Sequence, residues 1–393
     1  MSTPFTGIAN GLSVDDCSSL FPRTDLLIVG AGPVGCVVAE RAAHVGWTSL
    51  VIERRPHVAG HCHDMLYGTG VLVHAYGPHY FRTDHLDTVD YLSRFTEWVP
   101  ARYVVKSRVG GRLYPFPINL DTLELFFGRP FTPERAREFL EAERIPIATP
   151  RDSEEAVLAR VGRRLYEAFY RGYTLKQWAR EPRELHPSVC ERIPVRLDRD
   201  ERYADSYFQA MPARGYTALF ARMLDDRRIA VRTGVDYFDM RSNVAPRIAT
   251  VYTGEIDRYF DYRLGPLEWR SLRFEFREFQ EEWIQPCVQI NYPDEHAYTR
   301  SVEFKHVTGQ THPSTVVAYE YPEAKGDPFY PVLTPDNLER YEGYRRLAEE
   351  TTRRESVYFA GRLARYAYIN MDEAVAMALE VFAAIRATVG HAP

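Results

Sequence analysis

The chain is nearly without lysine. Of its 49 lysine and arginine residues only Lys106, Lys176, Lys305 and Lys325 are lysine. Codon bias accounts for such a swing, but converging arginines also form planar forks suited to phosphate oxygens. Cysteine is scarce as well: Cys17, Cys36, Cys62, Cys190 and Cys287 are odd in number, scattered, and form no Cys-x-x-Cys. That argues against a disulfide framework and for a reduced, cytoplasmic protein. No apolar run is long enough to span a bilayer, since the one at Leu26 is broken by glycines and Pro33. Met1 to Thr24 lacks the basic start and apolar stretch of a targeting signal. A net charge of -5 gives no general pull toward nucleic acid or an anionic membrane. What the chain does have is length, 393 residues, and 26 tyrosines. Such a length holds a large core and more than one structural module.

The most informative stretch is "DLLIVGAGPVGCVVAE", Asp25 to Glu40, followed by "LVIERR" at Leu50 to Arg55. "LLIVG" reads as a strand buried on both faces. Gly30, Gly32 and Gly35 form G-x-G-x-x-G: a tight turn, a bare approach to a pyrophosphate, and close packing of helix on strand. The helix from Pro33 aims its N-terminal dipole at the phosphates. Glu53, ending the second strand, is placed for ribose hydroxyls. Together these predict a bound dinucleotide. NAD and FAD both fit this pattern. Near the other end, "VYFAGRLARY" (Val357 to Tyr366) and "MDEAVAMALEVFAAIRATVG" predict a strand, a glycine turn and a helix returning to the cofactor domain, which fits FAD better. The cluster His57, His61, Cys62, His63 and Asp64 follows no common zinc spacing, so no metal site is expected.

The predicted fold class is α/β: a Rossmann-like FAD-binding domain with a helical insertion and an antiparallel β-sheet layer. Residues 1–24 form an extension. Residues 25–83, 205–250 and 351–393 form the cofactor domain. Residues 84–191 are the helical insertion, and residues 192–204 and 251–350 the sheet layer. Within the insertion, "LDTVDYLSRFTEWV" reads as a helix. So does "TPERAREFLEAER", with Thr132 as cap and Pro133 at the first helical position. Asp152 to Trp178 has the cap, at Asp152, and the periodicity of one long helix, broken near Gly172.

Several longer motifs carry a resemblance. "VYTGEIDRYFDYRLGPLEWRSL", "RGYTLKQWA", "RIPVR", "YTRSVEFKH" and "FAGRLARYAYINMD" are similar to segments of the bacterial UDP-galactopyranose mutases, in the same order and spacing from Asp25 to Ile385. The resemblance implies a homodimeric flavoprotein isomerase. Such an enzyme interconverts the pyranose and furanose forms of a UDP- or TDP-linked sugar. It does so through attack by N5 of reduced FAD on the anomeric carbon and a flavin–sugar iminium, with NAD(P)H or another reductant. It also implies roles for particular residues. Arg192 and Arg300 grip the diphosphate, and Tyr203, Tyr330 and Tyr368 donate hydrogen bonds to it. Phe169 and Tyr173 lie beside the nucleobase. Trp178 sits on a mobile loop closing over substrate. His79 stands beside the flavin ring, with Tyr80, Arg362 and Met371 nearby. Val34, Glu53 and Arg54 belong to the adenosine and pyrophosphate end, and Gly60 and His61 are further cofactor-binding residues.

The sequence departs from that family at several places. Its usual "GGN-x-Y" loop reads "AGHCHD", with His61 and His63 in place of Asn and the aromatic. Arg82 replaces a histidine, Tyr103 falls where an asparagine is common, and Asn370 replaces an aspartate. Exchanging acid for amide removes a negative charge beside a diphosphate-sugar. An altered nucleotide-sugar, thymidine-linked or deoxygenated, is the expectation.

Overall fold

The computed structural model describes residues 24–294 and 296–390, so the N-terminal extension through Arg23, with Cys17, lies outside the described residues. A five-stranded parallel sheet runs in the order Ile229–Thr233, Ser49–Glu53, Leu26–Val29, Ala249–Tyr252, Val357–Phe359. Its central strand is apolar without alternation because both faces are covered. Leu26 and Ile28 join one core with Val37, Val38, Val375 and Phe382. Leu27 and Val29 join another with Tyr344, Ala348 and Phe359. The helices Pro33–His44 and Met371–Gly390 pack together, with Trp47 edge-on to Phe382 at 5.7 Å. The helix Pro335–Glu355 packs on the last strand.

"RIATVYT" therefore enters the parallel sheet as Ala249–Tyr252, and the boundary expected at residue 250 falls inside this strand. A seven-stranded sheet forms the second layer: Tyr330–Pro331, Trp269–Phe279, Thr315–Glu323, Arg300–Glu303, Gln289–Asn291, Val105–Val109, Arg112–Phe116. Its pairs are antiparallel except that of Gln289–Asn291 with Val105–Val109. Its last two strands come from the range read as helical. So does Trp98–Pro100, which ends the helix Leu86–Ser93 early and pairs with Phe208–Pro212.

The remaining insertion is helical. Thr132 accepts a hydrogen bond from Arg135 N (3.3 Å) and Asp152 one from Glu155 N (2.9 Å), so both predicted caps form. The long helix breaks at Gly162 rather than Gly172. Gly162 lies at φ 74 within Ser153–Leu165, and a Cβ there would stand 2.2 Å from Glu143 O. Gly172 keeps helical angles after a π-turn over Tyr166–Arg171. Among the described residues, no helix is long and apolar enough to cross a membrane.

Candidate functional site

Two cavities meet between the layers. The first is the groove opened by the glycine-rich turn. A Cβ on Gly35 would stand 1.9 Å from Gly30 O, so only glycine lets the helix start this close to the strand. That helix begins at Pro33 with Gly32 as N-cap and no side-chain cap bond. Its first-turn amides are left for an anion. Gly30, Gly32, Val34, Gly35, Glu53, Arg54, Gly60, His61, His79, Arg362 and Met371 all line this groove. Glu53 is buried, and its oxygens accept from Ala31 N (2.9 Å) and Arg55 N (3.0 Å). Arg54 reaches Asp327 (3.1 Å) and Glu255 (3.6 Å). The bare helix start, the close-packed glycines and the buried acid fit an extended dinucleotide.

The second cavity, of about 970 Å³, is lined by Phe169, Tyr173, Trp178, Arg192, Tyr203, Arg300, Tyr330, Tyr368 and Asn370. The sequence spreads these residues over some two hundred positions, and the fold gathers them all. Arg192 follows the short helix Ser188–Glu191, and its Nε donates to Val189 O (3.2 Å). That tether lays the guanidinium 4.0 Å above the Tyr368 ring, with Arg362 5.1 Å from the same ring. Tyr330 stacks on Tyr368 at 5.5 Å. Burial would raise the Tyr368 hydroxyl, but Arg192, Arg362 and Arg300 outweigh it and bring it down to about 8. Burial, with Tyr368 beside it, pushes Tyr330 the other way. Burial, against the opposing pull of Arg300, pushes Tyr173 up to about 12. Three guanidinium groups around the hydroxyls of half-buried tyrosines give this cavity the chemistry to hold a polyanion.

The two cavities share His61, His79, Arg362, Asn370 and Met371. Arg362 is fixed there by Ile369 O (2.8 Å) and Phe329 O (3.3 Å). His79 is half-buried, and desolvation, with His74 and Arg362 beside it, pulls its imidazole down to about 3 and keeps it neutral. Its Nδ1 donates to Gly77 O (2.9 Å), leaving Nε2 an acceptor. A groove for a dinucleotide therefore opens end-on into a cavity for a phosphorylated ligand.

The family model for UDP-galactopyranose mutase matches residues 168–368, and one for an NAD(P)-binding Rossmann-like domain matches residues 28–95. A probable UDP-galactopyranose mutase of Klebsiella pneumoniae is 36% identical over 364 residues, covering 91% of this chain and 93% of its own length. This chain belongs to the UDP-galactopyranose mutase family. A dTDP-fucopyranose mutase of Escherichia coli is 33% identical, covering 90% of this chain and 96% of its own. A solved structure of reduced UDP-galactopyranose mutase shares the fold, with a TM-score of 0.74, 17% identity, and coverage of 94% of this chain and 96% of that one.

Two residues of this mutase-family chain sit elsewhere than expected. Tyr80 is not in the groove: its hydroxyl donates to Gln209, its ring faces Tyr103 at 4.9 Å, and it lines the second cavity. Trp178 is on no loop: it ends the helix Gly172–Trp178, buried edge-on to Tyr330 at 6.0 Å. The histidine cluster is engaged in packing. His57 stacks on His63 at 3.8 Å and bonds Tyr76 (2.7 Å), His61 stacks on Phe329 at 4.4 Å, and Asp64 accepts from Tyr216 N and Thr217 N.

The structure also adds residues that the sequence reading passed over. Glu320 lies directly across from Arg300 in the sheet, fully buried, with its Oε2 3.2 Å from Arg300 Nε. That contact lacks hydrogen-bond geometry, and both Glu320 oxygens are without a hydrogen bond. Burial raises the Glu320 carboxyl more than Arg300 lowers it. The signal was an acid at an inward position of "VVAYEYP", between outward Tyr319 and Tyr321. Gln289 and Asn291 likewise line the second cavity.

Proposed function

We propose that this chain interconverts the pyranose and furanose forms of a nucleoside-diphosphate sugar with FAD in the groove. The observation that carries this reading is the junction at His61, His79, Arg362, Asn370 and Met371, where the dinucleotide groove enters a cavity of arginines and tyrosines. Bound FAD, once reduced, supplies a nucleophilic nitrogen to the sugar. The protein does the rest. Arg192 and Arg300 hold the diphosphate as it leaves and returns, which stabilises the same anion in both directions. Tyr203, Tyr330 and Tyr368 donate hydroxyl hydrogen bonds to it. His79 offers a neutral acceptor at the junction. Phe169 and Tyr173 flank the nucleobase, and Trp178 with Tyr330 keeps water from the reacting carbon.

The test is incubation of dithionite-reduced, FAD-loaded protein with a panel of UDP- and dTDP-sugars, followed by chromatography. A furanose product is expected only under reducing conditions and without stoichiometric consumption of reductant. Arg300→Ala should lose nearly all turnover while staying yellow. Oxygen consumed in proportion to substrate, with no furanose formed, would instead establish an oxidase on this scaffold.

A further inference from the structure

The short strand Gln289–Asn291 turns Gln289 and Asn291 to one face and Ile290 to the other, where Ile290 packs with Cys287 and Tyr292. Register places Asn291 beside Arg300, and Arg300 beside Glu320, in one row across three strands. Asn291 thus lies next to the guanidinium assigned to the diphosphate, on the same cavity wall. A directed chain of hydrogen bonds feeds it. Tyr103 Oη donates to Gln289 Oε1 (2.7 Å), and Gln289 Nε2 donates to Asn291 Oδ1 (2.7 Å). All three side chains are more than nine-tenths buried, at 5%, 6% and 7% exposure.

This chain of bonds has two chemical consequences. With its oxygen already accepting from Gln289, Asn291 has its two N–H groups left to offer a ligand, so it presents a donor. Tyr103, with its one polar side-chain atom turned inward to Gln289, presents hydrocarbon. Its ring is held between Tyr80 (4.9 Å) and Tyr203 (6.1 Å), so it has no room to withdraw. A cavity wall made of a donor and a fixed aromatic ring beside the diphosphate site favours a sugar with hydroxyl acceptors on one side and a methyl group on the other. It penalises a hydroxymethyl group, whose hydroxyl would lose water against the ring without a partner.

We propose that Tyr103, Gln289 and Asn291 form a specificity element that selects a 6-deoxyhexose over a hexose carrying the C6 hydroxyl; the proposal rests on the mutase reading above. The test varies the two methyl groups independently. Reduced, FAD-loaded protein is given UDP-galactopyranose, UDP-fucopyranose, dTDP-galactopyranose and dTDP-fucopyranose, and kcat/KM and the dissociation constant are measured for each. The 6-deoxy sugars should be preferred about tenfold or more with either nucleobase. Tyr103→Asn, which removes the ring, should erase most of that ratio. Tyr103→Phe, which keeps the ring but not the donor, should retain the ratio while lowering kcat/KM about tenfold for all four. A ratio between sugars does not depend on the folded fraction, so a merely structural role would leave it unmoved. Equal use of the galactose and fucose congeners overturns the proposal, as does a preference that follows the thymine methyl alone or a Tyr103→Asn ratio equal to wild type. If no sugar gives a furanose, the mutase reading falls, and the ratio of dissociation constants still decides the element.

Discussion

Deleting Arg300 isolates a carboxylate that the fold cannot otherwise satisfy. Glu320 is fully buried, among the described residues neither of its oxygens accepts a hydrogen bond, and Arg300 is the charge that faces it. In Arg300→Met the carboxyl loses that charge, and burial, no longer opposed, lifts its folded-state pKa further. The folded pKa, already above the unfolded one in wild type, rises again in the variant, so the variant's native state keeps its proton at pH values where wild type has released it, and stability relative to wild type is lost as pH rises. The slope for one such group is about 1.4 kcal/mol per pH unit, so the deficit relative to wild type grows by up to about that much per unit above the pH at which wild-type Glu320 ionises. Urea unfolding followed by far-ultraviolet circular dichroism at several pH values measures that deficit, with the wild-type comparison cancelling other titrating groups. Glu320→Gln on the Arg300→Met background should flatten the slope. A deficit of the same size at every pH, or one that persists unchanged in the double variant, would show that Arg300 does not lower the Glu320 carboxyl.

Other consequences follow from single contacts. Gly35→Ala places a methyl group 1.9 Å from Gly30 O; the protein should lose its flavin, read as the ratio of flavin to protein absorbance after purification with added FAD. Gly162→Ala must hold a φ of 74 and a Cβ 2.2 Å from Glu143 O; it should cost about 1–3 kcal/mol, visible as a lower midpoint in thermal unfolding. His74 is buried and His79 half-buried, and desolvation pulls both down to about 3, so both are neutral. Each folded pKa lies below the unfolded value, so stability should fall as pH drops below about 6.5, by about 1.4 kcal/mol per unit and per residue. His74→Gln should remove about one proton's worth of that slope in a pH series of unfolding curves, and an unchanged slope would refute the assignment.

Local chemistry made the cofactor end legible. "LLIVG", the three glycines and Glu53 are each dictated by neighbours within a single strand–helix–strand unit, so pattern and structure coincide. The caps at Thr132 and Asp152 were readable for the same reason. Where partners are distant, pattern lost. Val105–Val109 pairs with Gln289–Asn291, far away in sequence, and its range was read as helical. A signal was present, since "VVKSRVGGRLYPF" is two strand-like runs joined by Gly-Gly, the mark of a hairpin. The break falls at Gly162 because, although Gly162 and Gly172 look alike in a helical pattern and each packs against a distant carbonyl, only Gly162 takes a φ of 74. The arginines and tyrosines of the second cavity came from motif resemblance rather than periodicity. Glu320, Gln289 and Asn291 escaped because their importance comes from register across strands, which no local window contains.

The parallel sheet is assembled from segments at opposite ends of the chain, with Ala249–Tyr252 between Leu26–Val29 and Val357–Phe359. During synthesis the ribosome releases the glycine-rich turn well before Gly361, Arg362, Asn370 and Met371, which close the same groove. A nascent chain therefore cannot complete the groove until the segment through Met371 has been made. A premature stop before Val357 leaves no half-active enzyme, only a bare apolar edge at Tyr252 for chaperones and proteases to find.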